Sequence, residues 1–258
     1  MVVSLRYAVQ SERGVRSNNE DAVFAGPRLL ALADGMGGHA AGDVASSLAL
    51  AELAPLDQQP VGDPVALLRE AVIRGNAAIA RHLKVHPEHE GMGTTLTAIL
   101  FAGDKHGLVH VGDSRAYLLR NDSLTQLTKD DTFVQSLIDD GRLTPEGAWG
   151  HPHRSMVVKV LTGHEVEPFL ELRDTKPGDR YLICSDGLSD YVPAEAIHRA
   201  LVAPDPQQCT QALIRLALQH DSHDNVTCIV ADVAEGDSGY NISLLTGAPG
   251  RAATLVRT

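Results

Sequence analysis

A mixed α+β chain with antiparallel strands is what this sequence predicts, and three observations predict it. Its 258 residues suit one large core better than two small ones. Four β-rich runs between Leu96 and Leu127 follow one another with no helical stretch between them, which argues for antiparallel pairing. Apolar stripes at helical spacing appear instead at 65–83 and 209–217.

In chain order, Leu5 to Gln10 alternates as a first strand, followed by a polar turn from Arg13 to Asp21. Ala22 to Ala25 and Leu29 to Ala33 make a strand pair across Gly26-Pro27. Asp43 to Leu53 is helical and ends near Pro55; residues 55–63 read as a loop. Asp63-Pro64 opens a second helix as N-cap and first-turn residue. That helix puts Val65, Leu68, Val72, Ile79 and Leu83 on one face. His82, His86 and His89 at its end suggest either a metal site or solvated residues at a frayed terminus, the latter favoured.

Leu96 to Phe101, Gly107 to Val111, Arg115 to Leu119 and Leu124 to Leu127 are the successive strands, with Asn121-Asp122 as a turn. Asp131 to Asp140 is a short helix stopped by Gly141. Residues 142–166 have the composition of a loop or flap, with a short helix expected near 155–161. Phe169 to Arg173 and Arg180 to Cys184 are strands around Lys176-Pro177-Gly178-Asp179. Pro193 starts a helix to about Val202. Cys209, Ala212, Leu213, Leu216 and Ala217 stripe a last one, and Asn225 to Val233 is a last strand. Residues 235–258, rich in Gly, Ser, Asn and Thr, read as a flexible tail or linker.

The formal charge of −11 disfavours nonspecific binding to nucleic acid or anionic lipid. Bound cations can still reverse the local field for a phosphate ligand. The first residues lack a signal-peptide pattern, and no stretch reaches the apolar length of a membrane span. Cys184, Cys209 and Cys228 sit among apolar residues and read as buried, reduced thiols of a cytosolic protein.

The chemistry gathers around Asp34-Gly35-Met36-Gly37-Gly38-His39, a carboxylate at the end of an apolar strand beside glycines that allow close backbone approach. Alone this is weak, since Asp-Gly is a common turn. Asp113, Asp186 and Asp224 also stand at the edges of apolar runs. Strand ends can converge at one rim. Bare carboxylates gathered there would repel one another, and hard divalent cations with oxygen ligands remove that cost. Arg16 offers a guanidinium fork suited to phosphate, and Glu20-Asp21 are further carboxylates beside it.

Six segments then carry a resemblance, in order. They are Arg16 to Asp21, Ala33 to Gly38, Gly93-Thr94-Thr95, Gly112 to Arg115, Cys184 to Gly187, and Asp224 to Thr227. Together they resemble the metal-dependent serine/threonine protein phosphatases of type 2C, the PPM family, in its bacterial branch, from about Leu5 to Val233. The resemblance implies a four-layer α-β-β-α sandwich, two antiparallel sheets flanked by helices, with residues 1–234 as the catalytic domain. It implies two tightly bound Mn²⁺ or Mg²⁺ ions on Asp34, the Gly35 carbonyl, Asp186 and Asp224. Glu20 and Asp21 would act through water, and Asp113 with Asp186 would hold a third, weaker ion. Arg16 would bind phosphate. The implied reaction is hydrolysis of phosphoserine and phosphothreonine in proteins by a metal-activated water, without a phosphoenzyme.

The expected partners are phosphoproteins, including bacterial Ser/Thr kinases and their substrates. A monomer is expected, either cytoplasmic or the cytosolic domain of a membrane-anchored protein. Some members place a histidine after the Asp-Gly pair as general acid. Here Met36 stands there, leaving the acid unassigned, with His39, His151 and His153 as weak candidates. Three rival readings are weaker. A cysteine phosphatase at Cys209 and Arg215 lacks a glycine cradle. A catalytically dead scaffold would lack metal ligands, and none is missing. A nuclease would want a basic groove.

Overall fold

The computed structural model describes residues 3–37, 41–58 and 62–236, and the backbone of 242–246 and 254–257. Val3–Glu12 (β1), Asp21–Ala25 (β2) and Leu29–Met36 (β3) lead into the helix Gly42–Leu53 (α1). Pro64–Val85 (α2) is followed by Gly93–Thr94 (β4), Leu96–Ala102 (β5), Lys105–Val111 (β6), Arg115–Arg120 (β7) and Ser123–Gln126 (β8). Phe133–Asp139 (α3) and Pro145–Ala148 (α4) precede Phe169–Asp174 (β9) and Arg180–Cys184 (β10). Asp186–Ser189 (α5), Ala194–Leu201 (α6) and Pro206–Gln219 (α7) precede Val226–Glu235 (β11), Ile242–Thr246 (β12) and Thr254–Arg257 (β13).

The strands form two antiparallel sheets. One runs β1-β11-β10-β7-β8; the other runs β13-β12-β2-β3-β5-β6-β9, with β4 against β3. The expected four layers are present. Period-two alternation sorts each central strand between two cores. From β3, Leu30 and Leu32 face the space between the sheets, while Leu29, Ala31 and Ala33 meet α1 and α2. From β11, Ile229, Ala231 and Val233 face inward, while Val226, Cys228 and Val230 meet α6 and α7. Burial on both faces explains why these strands read as unbroken apolar runs. On α2, Leu68, Val72 and Ile79 are buried as the stripe required, and the Asp63 carboxylate caps the helix by accepting from Val65 N.

Two expectations are corrected. The short helix of the flap lies at Pro145–Ala148, capped by the Thr144 hydroxyl, and 155–161 is non-helical, with Thr132 and Val157 bridging instead. A Thr-Pro pair is a strong helix start that the weak periodicity of the segment hid. The end of α2 is not frayed: a 3-10 turn, Pro87–His89, continues it. In the segment read as a tail, the backbone of β12 pairs with β2 and that of β13 with β12, which the polar composition did not suggest.

His106 is fully buried between the sheets, its Nδ1 2.8 Å from Thr175 Oγ1 and its ring against Phe101 and Tyr181. Its Nε2 lacks a hydrogen-bond partner, and burial, followed by the charge of Arg173, pushes its pKa down to about 4. The folded state therefore holds the ring neutral, while the unfolded chain takes up a proton near pH 6.5. The stabilisation is fully present above pH 6.5 and is lost as pH falls toward 4, about 2 kcal/mol of it by pH 5. Urea unfolding of wild type and His106→Gln at pH 7 and pH 5 should show a stability gap that narrows at the lower pH. An unchanged gap would show that His106 is not what titrates.

Candidate metal and phosphate site

The site is built where the strand ends of both sheets meet. The β2–β3 register sets Asp21 opposite Asp34. Asp34 is gripped by the Thr94-Thr95 segment. Its N–H donates to Thr95 Oγ1 at 3.0 Å, and its carbonyl accepts from Thr94 Oγ1 and Thr95 N, both at 2.9 Å. At Gly35 the chain passes so close to α1 that an added Cβ would collide with the Gly42 carbonyl. The Asp-Gly pair is thus a close backbone approach rather than an ordinary turn.

Asp186 is the first residue of α5. Gly187 lets α5 press against the start of β11, since a Cβ there would strike the Asn225 carbonyl. Ser185 Oγ donates to Asp21 Oδ2 at 3.1 Å and accepts from Thr227 N at 3.0 Å. Asn225 closes the polar turn over the site. Its Oδ1 accepts from Glu20 N at 2.8 Å, and its Nδ2 donates to the carbonyls of Arg13 and Asn18. Arg16 lies across the rim, donating from Nη2 to Asp224 Oδ2 at 2.7 Å and from Nε to the His223 carbonyl at 3.0 Å.

A cleft of about 680 Å³ brings together Arg16, Glu20, Asp34, Gly35, Asp113, Asp186 and Asp224. Asp21 lies beneath it, buried. His151 and His153 do not line it; their rings surround Phe133, with centroids 6.0 and 6.1 Å away. His39 lies outside the described residues. Three contributors were not assigned from sequence. Asp190 lines the cleft one helical turn after Asp186, and that i, i+4 spacing was a usable signal. Arg154 enters from the flap with its guanidinium 5.8 Å over Tyr191. Asn225 belongs to the last of the six segments, and nothing local reveals that its one amide ties three backbone groups.

Asp113 is not paired with Arg115. That guanidinium holds Asp130 instead, with Nη2 2.6 Å from Oδ2. Burial first, then the charges of Asp130 and Asp190, push the Asp113 carboxyl up to about 7. Burial pushes Asp21 up to about 6. Asp34 and Asp186 keep partial exposure at the cleft, yet desolvation raises both well above the usual carboxylate range. The charges of Asp21 and Asp186 add to the effect on Asp34, and those of Asp113 and Asp190 to that on Asp186.

One oxygen each of Asp21 and Asp186 is buried without a hydrogen-bond partner. Orphaned acceptors among like charges are the electrostatic signature of a cation site, and an all-oxygen donor set fits Mg²⁺ or Mn²⁺. Among the described residues no three such groups close around one point as a finished cage. The set is open toward the cleft, which suits ions that keep waters.

Comparison with known proteins agrees with this geometry. The chain is 60% identical over 246 residues to the serine/threonine protein phosphatase PstP of Mycobacterium tuberculosis, covering 95% of this chain and 48% of that protein. It thus spans about half the length of that relative. It is 32% identical over 235 residues to the protein phosphatase PhpP of Streptococcus pneumoniae, covering 86% of this chain and 95% of that one. The crystal structure of the PstP catalytic domain in complex with two manganese ions superposes with a TM-score of 0.87 at 59% identity, covering 91% of this chain and all of that one. Residues 10–219 match the family described as protein phosphatase 2C. With the sandwich, the aspartate rim and these likenesses in agreement, the chain belongs to the protein phosphatase 2C family.

Proposed function

We propose that this chain hydrolyses phosphoserine and phosphothreonine in proteins at a pair of divalent cations, Mn²⁺ or Mg²⁺. The observation that carries the reading is the set of mutually repelling carboxylates, two with orphaned oxygens, on the floor of a cleft that also holds Arg16 and Arg154. The names of the relatives and the two manganese ions in the PstP structure support it.

Asp34, the Gly35 carbonyl, Asp186 and Asp224 are the metal ligands in this proposal, with Glu20 and Asp21 acting through water. When bound, the cations supply Lewis acidity to the phosphoryl oxygens and to the attacking water. The chain's own residues do the positioning. Ser185 and Thr227 hold Asp21, the Thr94-Thr95 segment holds Asp34, and Asn225 holds the Arg16 loop. The buried thiols of Cys184 and Cys228 are pushed far from the thiolate form by desolvation. Cys209 is buried against the carbonyls of Leu201 and Ala203, so no cysteine serves as nucleophile. Water takes the phosphoryl group directly and the seryl oxygen leaves with a proton whose donor is unassigned, because Met36 cannot give one.

Kinases and their targets fit as partners, and a monomer fits as the working unit. A cytosolic location suits the reading, either free or as a domain of a membrane-anchored protein; among the described residues no helix is long and apolar enough to cross a membrane. We assign catalysis to 1–234 and a linker role to 235–258. The test is an Mn²⁺-dependent assay on phosphoserine and phosphothreonine peptides. Faster cleavage of bis-p-nitrophenyl phosphate than of the peptides would move the reading to a phosphodiesterase.

In the Arg16→Ala variant KM should rise about tenfold with a smaller fall in kcat, because a phosphate bound equally in ground and transition states is lost. A fall in kcat at constant KM would mean that Arg16 acts only on the transition state.

Asp113 concerns a third ion. It offers that ion fewer protein carboxylates than the pair would have, hence weaker binding. Asp113→Ala should leave two Mn²⁺ per chain while lowering turnover about tenfold or more. Metal counting by inductively coupled plasma spectrometry beside kinetics checks this, and full turnover at two ions would remove the third site.

A further inference from the structure

Away from the cleft, α2 ends in three imidazoles that the phosphatase reading does not use. The His86 amide donates to the His82 carbonyl at 2.9 Å, the His89 amide to the His86 carbonyl at 3.1 Å, and the Met92 amide to the His89 carbonyl at 3.0 Å. The 3-10 turn Pro87–His89 shortens the last interval to three residues, so all three rings share one face. Ring centroids lie 4.5 Å (His82–His86), 5.1 Å (His82–His89) and 5.6 Å (His86–His89) apart. His82 Nε2 and His89 Nδ1 are 2.9 Å apart, and His86 Nδ1 meets Glu88 Oε1 at 3.0 Å.

We propose that this cluster is a second metal site, for a borderline divalent cation such as Zn²⁺, Cu²⁺ or Ni²⁺, with His82 Nε2 and His89 Nδ1 as its ligands. His86 is the third donor, after rotation of its ring. The bland alternative is a hydrogen-bonded stack of histidines at a helix end. It accounts for the 2.9 Å contact, but that contact also requires one nitrogen to carry a proton while the other accepts. A cation replaces that proton, which passes by way of solvent to the other nitrogen of the same ring, so both ligands stay neutral imidazoles. Two imidazole nitrogens on a tetrahedral zinc at about 2.0–2.1 Å stand about 3.3 Å apart, so the pair opens by less than half an ångström.

Burial, then the neighbouring charges of His86 and His89, hold the His82 pKa below its ordinary value, which favours the neutral ligand form. The three donors do not yet converge on one point, so binding orders the His86 ring. Nitrogen donors here and oxygen donors in the cleft would divide metals by softness. The proposal does not depend on the chemistry assigned to the cleft.

The test uses the whole chain in millimolar Mg²⁺, which occupies the carboxylate centre with a hard, EPR-silent ion, and one equivalent of Cu²⁺ as probe. Wild type should show the remote-nitrogen modulation of coordinated imidazole in pulsed EPR and bind Cu²⁺ at least tenfold more tightly than the double variant His82→Gln/His89→Gln. That variant should keep wild-type turnover of p-nitrophenyl phosphate with Mn²⁺, which also shows that it is folded. A loss of affinity under tenfold, or nitrogen modulation unchanged in the folded double variant, would overturn the proposal.

Discussion

The Asp34→Asn substitution should reduce turnover by about a thousandfold or more and at the same time stabilise the metal-free protein. The two effects share one cause. Asp34 lies in a desolvated rim, with Asp21 opposite it in the β-register and Asp186 acting on it from the other sheet. With Asp34 as the metal ligand proposed above, cation binding worth several kcal/mol to the transition state would be lost with the carboxylate, and each 1.36 kcal/mol is tenfold in rate. Without cations, the same carboxylate is a like charge among like charges, which the amide removes. Each pKa unit so relieved is worth about 1.4 kcal/mol, or about 3–6 °C in melting temperature for a chain of this size.

The sign with pH follows. A carboxyl whose folded pKa is raised destabilises the fold above that pKa, and stability returns as pH falls through it. The stabilising effect of Asp34→Asn should therefore be large at pH 7.5 and shrink toward pH 5. The measurements are kcat with saturating Mn²⁺ and melting in EDTA at both pH values. A variant that kept a tenth of wild-type turnover, or that melted below wild type in EDTA at pH 7.5, would remove Asp34 from the centre.

The parts of this molecule that sequence made legible are those fixed by local periodicity and by backbone necessity. The run Leu29 to Ala33 is apolar at every position because β3 is buried on both faces, and no partner need be known to read it. Asp34-Gly35 and Asp186-Gly187 could be singled out because only glycine tolerates the approach of Gly42 and Asn225 at those points. Convergence of the aspartates could not be read from spacing, since Asp113 and Asp224 come from different sheets; it came from the resemblance. The flap helix was misplaced because residues 142–166 pack few side chains, so little periodicity is imposed on them. Asp190, Arg154 and Asn225 act through contacts set by tertiary structure. Arg115 stands two residues from Asp113 in sequence, yet the structure gives it to Asp130, fifteen residues on.

That pairing carries the other large effect. Arg115 opens β7 and grips Asp130 in two-pronged fashion, with Nε 2.9 Å from Oδ1 and Nη2 2.6 Å from Oδ2. Nη1 donates to the Ser189 carbonyl at 3.4 Å, at the end of α5. The side chains are 22% and 12% exposed, so the pair is largely out of water. Asp190 stands 4.0 Å from the same guanidinium. Arg115 is therefore the cation that offsets Asp113, Asp130 and Asp190 together, and it ties β7 to the helix that presents Asp186. Substituting Arg115→Met keeps the apolar stem but leaves buried carboxylates unpaired, a loss of about 3–5 kcal/mol, which is a large part of a typical domain's total stability.

Arg115→Met with Asp130→Leu should recover much of that loss, because the second substitution removes the charge the first one stranded. Urea unfolding of the two single variants and the double variant at pH 7.5 measures the coupling. If Arg115→Met costs less than about 1 kcal/mol, the pair behaves as an exposed salt bridge. The placement of Asp113 would then not depend on it. If the double variant is as unstable as the single, the loss lies in packing rather than in stranded charge.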